Sequence, residues 1–276
     1  MKEYPLVSII VRTCGRPKVL KRALESIVNQ DYKEIEIVVI EDGSNVSEEM
    51  LKQTYGDINY QYFHTESKKG RGVAGNIGLE KSKGVYLNFL DDDDRLLPNH
   101  IRTLVEAAVN ENRLAAYSIA KEYQTAEDGF YQVKRKLVRY KQPFNKLLLC
   151  YMNYIPIQSI LFHRTLFEQY GGFDEKLEFL EDWDLWVRYA MGCDFKFVPK
   201  ITSVYYTPYK SKKKKIRDRE MKKAEEVIKS KFKTYSMNFN AAQINQEMDY
   251  ILNILNKKGF LFYMKKVRNF FLYHDM

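Results

Sequence analysis

Apolar and polar positions fall into a repeating order over the first part of the chain. "LVSIIVR" (6–12) is short, continuous and β-branched, the pattern of a strand buried on both faces. Residues 17–29 follow as a helix opening on Pro17, with Leu20, Leu24, Ile27 and Val28 on one face. "IEIVVIED" (35–42) reads as a second buried strand ending in acids, and 47–54 as a short helix behind Ser44 or Ser47. "INYQYFH" (58–64) predicts a third strand, 73–82 a helix, 84–90 a fourth strand, and Pro98 opens a helix to about Asn110. Strand and helix alternating in this way predict a parallel α/β sheet with helices on both faces. Ligands of such sheets bind at the carboxyl ends of the strands.

After residue 112 the alternation stops. "LAAYSIAKEYQ" and "FYQVKRKLVRY" predict strands around a turn at Glu127–Gly129, "PFNKLLLCYMNY" a helix, and "IQSILFH" a strand ending at His163. Residues 181–191 read as a helix, and "FKFVP" and "SVYYTPY" as two short strands. This part reads as an α+β extension of the first sheet. Beyond 211 the pattern is helical. One apolar stripe comprises Ile244, Met248, Ile251, Leu252 and Leu255; a second comprises Phe260, Tyr263, Met264, Val267, Phe270 and Phe271, with basic flanks. Core packing is the first expectation for these stripes, and an interfacial helix pair at a membrane surface is the second.

Composition adds limits. The chain has 276 residues, 45% hydrophobic and 29% charged, enough for one large domain or one domain plus an appendage. Three cysteines, Cys14, Cys150 and Cys193, without close spacing argue for a reducing compartment and against a disulfide framework or zinc site. The apolar run near the N-terminus is too short for a signal-peptide core. The longest apolar stretch, 147–162, contains Asn153, Pro156 and Gln158 and does not read as a membrane span. The net charge of +9 is concentrated: residues 210–233 hold twelve Lys or Arg against four Asp or Glu. That segment predicts either a solvated helix face or contact with an anionic partner, membrane lipid or polyanionic acceptor. No nucleic-acid recognition motif accompanies it, so no nucleic acid is expected.

The candidate chemistry is acidic. Glu41-Asp42 follows the second strand, "DDDD" (Asp91–Asp94) follows the fourth, and Glu181-Asp182 with Asp184 lies in "LEFLEDWDLW". Adjacent carboxylates repel unless they are solvated or neutralised, and a hard divalent cation with oxygen ligands would relieve the strain. An EF-hand register from Asp91 fails at Leu96 and Arg102, where glycine and glutamate are needed. "GRGVAG" (70–75) matches the dinucleotide pattern, which would make the chain an NAD(P)-binding protein, but "TESKK" separates it from the preceding strand. Arg71, with Lys68 and Lys69, suits a loop approaching a diphosphate. The histidines His64, His100, His163 and His274 are scattered, with His163 nearest the presumed site edge.

With these residues identified, the chain over about 5–208 resembles the inverting glycosyltransferases of family 2, which have the GT-A fold. "PLVSIIVRTCGRPKVLKRALESIVNQDYKEIEIVVIEDGS" resembles the family's nucleotide-binding segment. "GVAGNIGLEKSKGVYLNFLDDDDRLLPNHI" resembles the stretch ending in the metal-binding DxD motif, and "GGFDEKLEFLEDWDLWVRYA" the segment with the catalytic-base "ED" motif. The resemblance implies a Rossmann-like mixed α/β sheet flanked by helices, with a C-terminal helical extension. It implies a nucleotide-sugar-binding half over 1–110, an acceptor-binding half over 111–208 and a basic helical extension over 209–276. It also implies a metal-dependent transferase moving a hexosyl or N-acetylhexosaminyl group from a nucleotide-sugar, a UDP-sugar, to a glycan or lipid-linked acceptor in surface polysaccharide or glycoconjugate synthesis.

Carried over by position, the resemblance implies that Thr13 and Arg16 lie beside the nucleotide, with Arg71 and Asn76 near the donor, and that Asp42 accepts the uracil N3–H. It implies that Asp93, with Asp91, ligates Mn²⁺ or Mg²⁺, while Asp91 or Asp92 touches ribose or sugar. It further implies that Asp182 with Glu181 is catalytic, Asp182 being the base; Trp183 and Trp186 flank it, and Trp183 and His163 are the expected acceptor-side residues. Asp94 is expected to pair with Arg95 or cap the following helix. The chain departs from the family at Gly75, where many members carry arginine; Arg71 is the expected substitute. The expected location is cytoplasmic, with the basic segment 210–273 making peripheral contact at the inner face of an anionic membrane. The alternatives are a nucleotidyltransferase and a non-catalytic carbohydrate-binding scaffold.

Overall fold

The computed structural model describes residues 4–56, 58–126, 132–209 and 212–257. Strand β1 (Val7–Thr13) lies at the centre of the first half because both its faces are apolar. Val7, Ile9 and Val11 pack on one side with Leu20, Leu24 and Ile27 of helix α1 (Pro17–Val28). Ile10 packs on the other with Leu79 of helix α3 (Arg71–Lys81). β2 (Ile35–Glu41) and β4 (Tyr86–Asp91) flank β1 in parallel, and β3 (Tyr60–His64) pairs with β2. Helix α2 (Glu48–Tyr55) connects β2 to β3. The register sets Thr13 opposite Glu41 and Arg12 opposite Asp91, so the polar ends of three strands finish level.

The sheet then changes direction. Its order is β3-β2-β1-β4-β8-β6-β9-β5, with β7 (Val133–Leu137) paired to β6 (Ala115–Thr125). β8 (Ile160–His163) runs antiparallel to β4 and to β6, while β9 (Lys196–Pro208) runs parallel to β6. The segment read as two short strands is therefore one. Its register shifts where Pro199 and Lys200 bulge out between Val198 and Ile201. Two elements were not anticipated: the two-residue strand β5 (Arg95–Leu96) and helix α6 (Arg164–Tyr170). The expected helix over 143–154 shrinks to α5 (Lys146–Tyr151), and Ile157–Ser159 is a 3-10 turn ahead of β8. The expected turn at Glu127–Gly129 lies outside the described residues.

One layer of helices, α1 and α4 (His100–Asn110), covers one face of the sheet; α3, α6 and α7 (Glu181–Gly192) cover the other. Trp186, Tyr189 and Phe162 form the aromatic centre of the second core. Helix α8 (Lys212–Phe232) docks by its C-terminal half: Ile228 is fully buried and Phe232 packs edge-on against Trp183. Helix α9 (Ala241–Lys257) departs from expectation. Ile244, Met248 and Leu252 are exposed, and the neighbouring face packs instead through Tyr250 and Ile251. Glu247 fixes that orientation: its carbonyl accepts from the Asn145 side chain at 2.9 Å, and its carboxylate accepts the Leu147 N–H at 3.2 Å. The second apolar stripe, 260–271, lies outside the described residues.

Candidate active site

A cleft of about 1520 Å³ opens over the carboxyl edge of the sheet. It is lined by Thr13 and Arg16 from the end of β1 and the loop after it, Asp42 after β2, Asp91–Asp94 at the end of β4, the Lys68–Gly72 loop, and Glu181–Trp183 opening α7. All three acidic blocks seen in the sequence therefore meet, each through part of its residues. Glu41 and Asp184 do not take part. Glu41 accepts hydrogen bonds from Gly15, Ser44, Ser47 and Tyr62, ordering two loops. Asp184, fully buried, is bound by Arg188, Lys231 and Tyr235 and clamps α8 to α7.

The four adjacent aspartates have four different environments. Asp91 accepts from Arg12 Nε at 2.8 Å, and Arg12 Nη1 reaches Glu181 at 3.1 Å. Arg12 is 5% exposed and lies over the rings of Phe89 and Phe173, so one buried cation ties β1, β4 and α7 together. Burial works to raise the Asp91 carboxyl, but Arg12, with Arg71 and Arg16, outweighs it and holds it below the usual range. Asp92 is gripped by both ends of the Arg16 fork and by Thr13 Oγ1 at 2.6 Å. Burial still pushes it up to about 7. Asp93 is partly open to the cleft, 3.5 Å from Arg16 Nη1, and is raised by burial and by Asp91. Asp94 turns away to accept the Tyr206 N–H at 3.2 Å. It neither pairs with Arg95 nor caps α4, whose N-cap is Asn99. Burial, then Asp93 and Asp91, raise it well above an ordinary aspartate.

Arginine thus grips Asp91 and Asp92 closely, reaches Asp93 only at 3.5 Å, and leaves Asp94 to a backbone N–H. Among the described residues no three carboxylate, thiol or imidazole groups close a ready-made cation cage. The donor set fits a hard divalent cation that takes one or two carboxylates and completes its shell with substrate phosphates.

Asp182 faces the same cleft from the first turn of α7. Its Oδ2 accepts from Asn153 at 3.1 Å, and its Oδ1 accepts the Trp183 N–H at 2.8 Å. Burial and then the charge of Glu181 push its carboxyl up to about 7, where a base operates at neutral pH. Glu181 itself is 2% exposed and engaged by Arg12, with Arg71 Nε 3.9 Å away, so it orients arginines beside Asp182. Leu180, immediately before them, sits in the left-handed region at φ 60°, a strained position for a branched side chain that aims the start of α7 at the cleft. Trp183 lines the cleft, but its indole N–H is committed to the Leu149 carbonyl; Trp186 is core.

Asp42 accepts from Thr65 Oγ1, the Lys69 N–H and the Gly70 N–H, at 2.8, 2.7 and 2.8 Å. It orders the loop that carries Arg71. Gly43, at φ 81°, allows this approach, because a Cβ there would come within 2.8 Å of the Lys68 nitrogen.

Two expected site residues lie elsewhere. His163 sits opposite Tyr86 at the start of β4, because β8 runs antiparallel and carries its C-terminal end to the far edge. There it caps α6. Asn76 is not among the residues lining the cleft and clasps the 173–175 loop through Phe173 and Glu175. The same loop accounts for Gly75: a Cβ there would meet the Phe173 ring at 2.4 Å, so the usual arginine has no room. Gly70 is the N-cap of α3 and lies beyond a loop from β3, so the 70–75 glycines serve a loop and a helix contact instead of a strand-to-helix turn.

Sequence reasoning missed Arg12 and Asn153. The signal for Arg12 was present as a cation inside the apolar strand "LVSIIVR". It also missed the far wall of the cleft, built from Glu122, Arg139, Tyr140, Tyr205, and Arg217, Met221 and Lys222 of α8.

The family model described as "Glycosyl transferase family 2" matches residues 8–171. An uncharacterized glycosyltransferase of Rickettsia typhi is 31% identical over 205 residues, 73% of this chain and 61% of that protein. The match therefore spans less than two thirds of the length of that relative. A Campylobacter jejuni GalNAc(5)-diNAcBac-PP-undecaprenol beta-1,3-glucosyltransferase is 37% identical over 107 residues, 38% of this chain and 35% of that protein. The structure of Staphylococcus aureus TarS 1–349 in complex with UDP-GlcNAc superposes with a TM-score of 0.68 at 16% identity, covering 94% of this chain and 75% of that one. That likeness shows the fold, a mixed α/β GT-A architecture.

Proposed function

Because the chain belongs to glycosyl transferase family 2, we propose that it transfers a sugar from a UDP-sugar to a hydroxyl of a glycan or lipid-linked oligosaccharide in surface polysaccharide or glycoconjugate synthesis. The observation that carries this reading is the placement of Asp182, held by Asn153 and raised to about 7, across one cleft from Asp91–Asp93 and Asp42. A general base on one side and a diphosphate-binding edge on the other are what a single displacement requires. The relative with a polyprenol-diphosphate acceptor in its name and the neighbour bound to UDP-GlcNAc support the acceptor and donor classes.

The chain's own groups divide the work. Asp42 receives the uracil imide beside Thr13 and Arg16. Arg71, half-exposed at the cleft, approaches the diphosphate. Asp93 and Asp91 would hold a divalent cation, Mn²⁺ or Mg²⁺, which when bound supplies positive charge against the departing diphosphate. The Asp182 carboxylate takes the proton of the acceptor hydroxyl. The new bond forms at the anomeric carbon as the bond to the diphosphate oxygen breaks, and the anomeric centre inverts. Arg12 holds Asp91 and Glu181 in place. No helix of the described residues is long and apolar enough to cross a membrane. The outer face of α8, with Lys215, Arg219 and Lys223 exposed, supports peripheral contact with anionic lipid. Binding to anionic vesicles that vanishes in high salt is the expected result, and indifference to vesicles removes that contact.

The deciding experiment is calorimetry of UDP with and without Mn²⁺, with NAD in parallel. Metal-dependent UDP binding that is lost in Asp93→Ala is expected. NAD binding without a UDP response would overturn the proposal, and pyrophosphate release from a nucleoside triphosphate would favour a nucleotidyltransferase.

A further inference from the structure

The donor reading leaves the wall of the cleft beyond Asp182 unassigned. Helix α8 forms one side of it. Ile228 and Phe232 dock the helix to the core, and Arg217, Met221 and Glu225 continue the same face toward the N-terminus. A face meant to pack along its whole length would stay apolar. Here it turns to Arg217, Asp218 and Lys222 where it overhangs the cleft. Its position is fixed by Lys231, which bridges Asp184 at 2.9 Å and Asp174 at 2.7 Å.

The opposite side is built around Glu122, 4% exposed. Its Oε1 accepts from Thr207 at 2.7 Å and Gln124 at 3.0 Å, and its Oε2 takes Arg139 Nε. Three donors thereby converge on Glu122, and Arg139 meets it through its inner nitrogen. Among the described residues no partner takes the two terminal nitrogens of Arg139. A guanidinium anchored in this way presents a pre-set fork to the cleft, the geometry that matches a carboxylate or phosphate. Tyr140 lies between the two sides, within electrostatic reach of Arg139, Glu122, Asp182 and Arg217. Tyr205 stands beside it, near Glu122, Arg139 and Asp94.

We propose that this end of the cleft is an acceptor subsite for an anionic group, a carboxylate or a phosphate, held between Arg139 and Arg217 while the neighbouring hydroxyl reaches Asp182. Tyr140 and Tyr205 supply the surface on which the acceptor sugar rests. The inference builds on the glycosyltransferase reading and names the acceptor's chemistry.

The test uses the full chain and two matched probe pairs: methyl glucuronide against methyl glucoside, and glucose 6-phosphate against glucose. Binding is followed by NMR in the presence of UDP and Mn²⁺, with UDP affinity measured in the same samples. In one pair at least, the charged member should bind about tenfold tighter than the neutral one. Which pair shows the preference distinguishes uronate from phosphate. Arg217→Gln, on an exposed helix face where folding is not at risk, should remove most of that advantage. Arg139→Lys should reduce it although the charge is kept. Neither substitution should change UDP affinity. Equal binding of charged and neutral members, including no binding by either, overturns the subsite, as does an advantage that survives both substitutions. Loss of UDP binding in the wild-type protein would instead count against the glycosyltransferase reading.

Discussion

The two sides of the cleft are built differently. On the donor side nearly every charged group is already used within the protein: Arg12 by Asp91 and Glu181, Arg16 by Asp92, Asp42 by Thr65 and two backbone N–H groups. On the side proposed to take the acceptor, no partner among the described residues takes the Arg139 fork, and α8 contributes an exposed basic face. A shared leaving group rewards a rigid, pre-paired edge, whereas a chain-specific acceptor is met by groups left available on an added helix. In the proposed reading the carboxyl edge of the sheet would carry the first task, and the wall built from β6, the 139–140 segment, β9 and α8 the second.

Substitutions should separate the two sides sharply. The largest effect is expected from Arg12→Leu, which strands the buried Glu181 and the part-buried Asp91; breaking a buried pair from one side costs about 3–5 kcal/mol. Thermal unfolding should show the loss together with weakened UDP binding. A variant of wild-type stability would mean that the donor edge is not held by this cation. Asp182→Asn comes next, with kcat lowered by about 10²–10⁴-fold and UDP affinity unchanged. Unaltered turnover would move the base elsewhere.

The same carboxyl predicts opposite pH trends for rate and stability. A base raised to about 7 must lose its proton to act, so kcat/KM should rise with pH through that value. Its folded pKa lies above its unfolded one, so its contribution to stability is complete in acid and declines as pH rises toward 7 and beyond. Asp182→Asn should therefore gain stability relative to the wild type between pH 5 and 8, by ~1–3 kcal/mol, followed by urea unfolding at both pH values. A constant difference would show an unperturbed carboxylate.

Gly75→Ala should cost about 1–3 kcal/mol through the Phe173 ring, and Phe173→Leu in the same chain should recover part of it. The smallest effect is expected far from the cleft: Met248→Gln on the exposed stripe of α9 should change stability by less than about 0.5 kcal/mol. A loss on the scale of a core deletion would show that this face is covered.

Much of the donor side could be read from the sequence. Buried strands announce themselves by continuous β-branched runs, and the aspartates had to sit where a strand leaves the core. Strand direction was not legible. "IQSILFH" has the same pattern whichever way it runs, and its antiparallel course is what removed His163 from the cleft. Asn76 was misread for a related reason: its position in the α3 pattern does not say that a loop nearly a hundred residues later closes over it. On α9 the apolar periodicity was real, but a polar anchor, Glu247, decided which face turned inward. The acceptor wall was invisible because it is assembled from β6, the 139–140 segment, β9 and α8, which only the fold brings together.

The contact between Gly75 and Phe173 also fixes an order of events in time. Glycine and arginine codons differ by a single base, so arginine at 75 must arise repeatedly in any population carrying this chain. Each time it meets an aromatic ring in the space its first carbon needs, and the bearer is disfavoured before the new cation reaches any phosphate. The ring would have to shrink first, and that earlier step uncovers the stacking face of Arg12. Descent toward the arginine-bearing form is thus hindered in one step and eased in two, and the obstacle is a packing contact instead of the chemistry of the reaction.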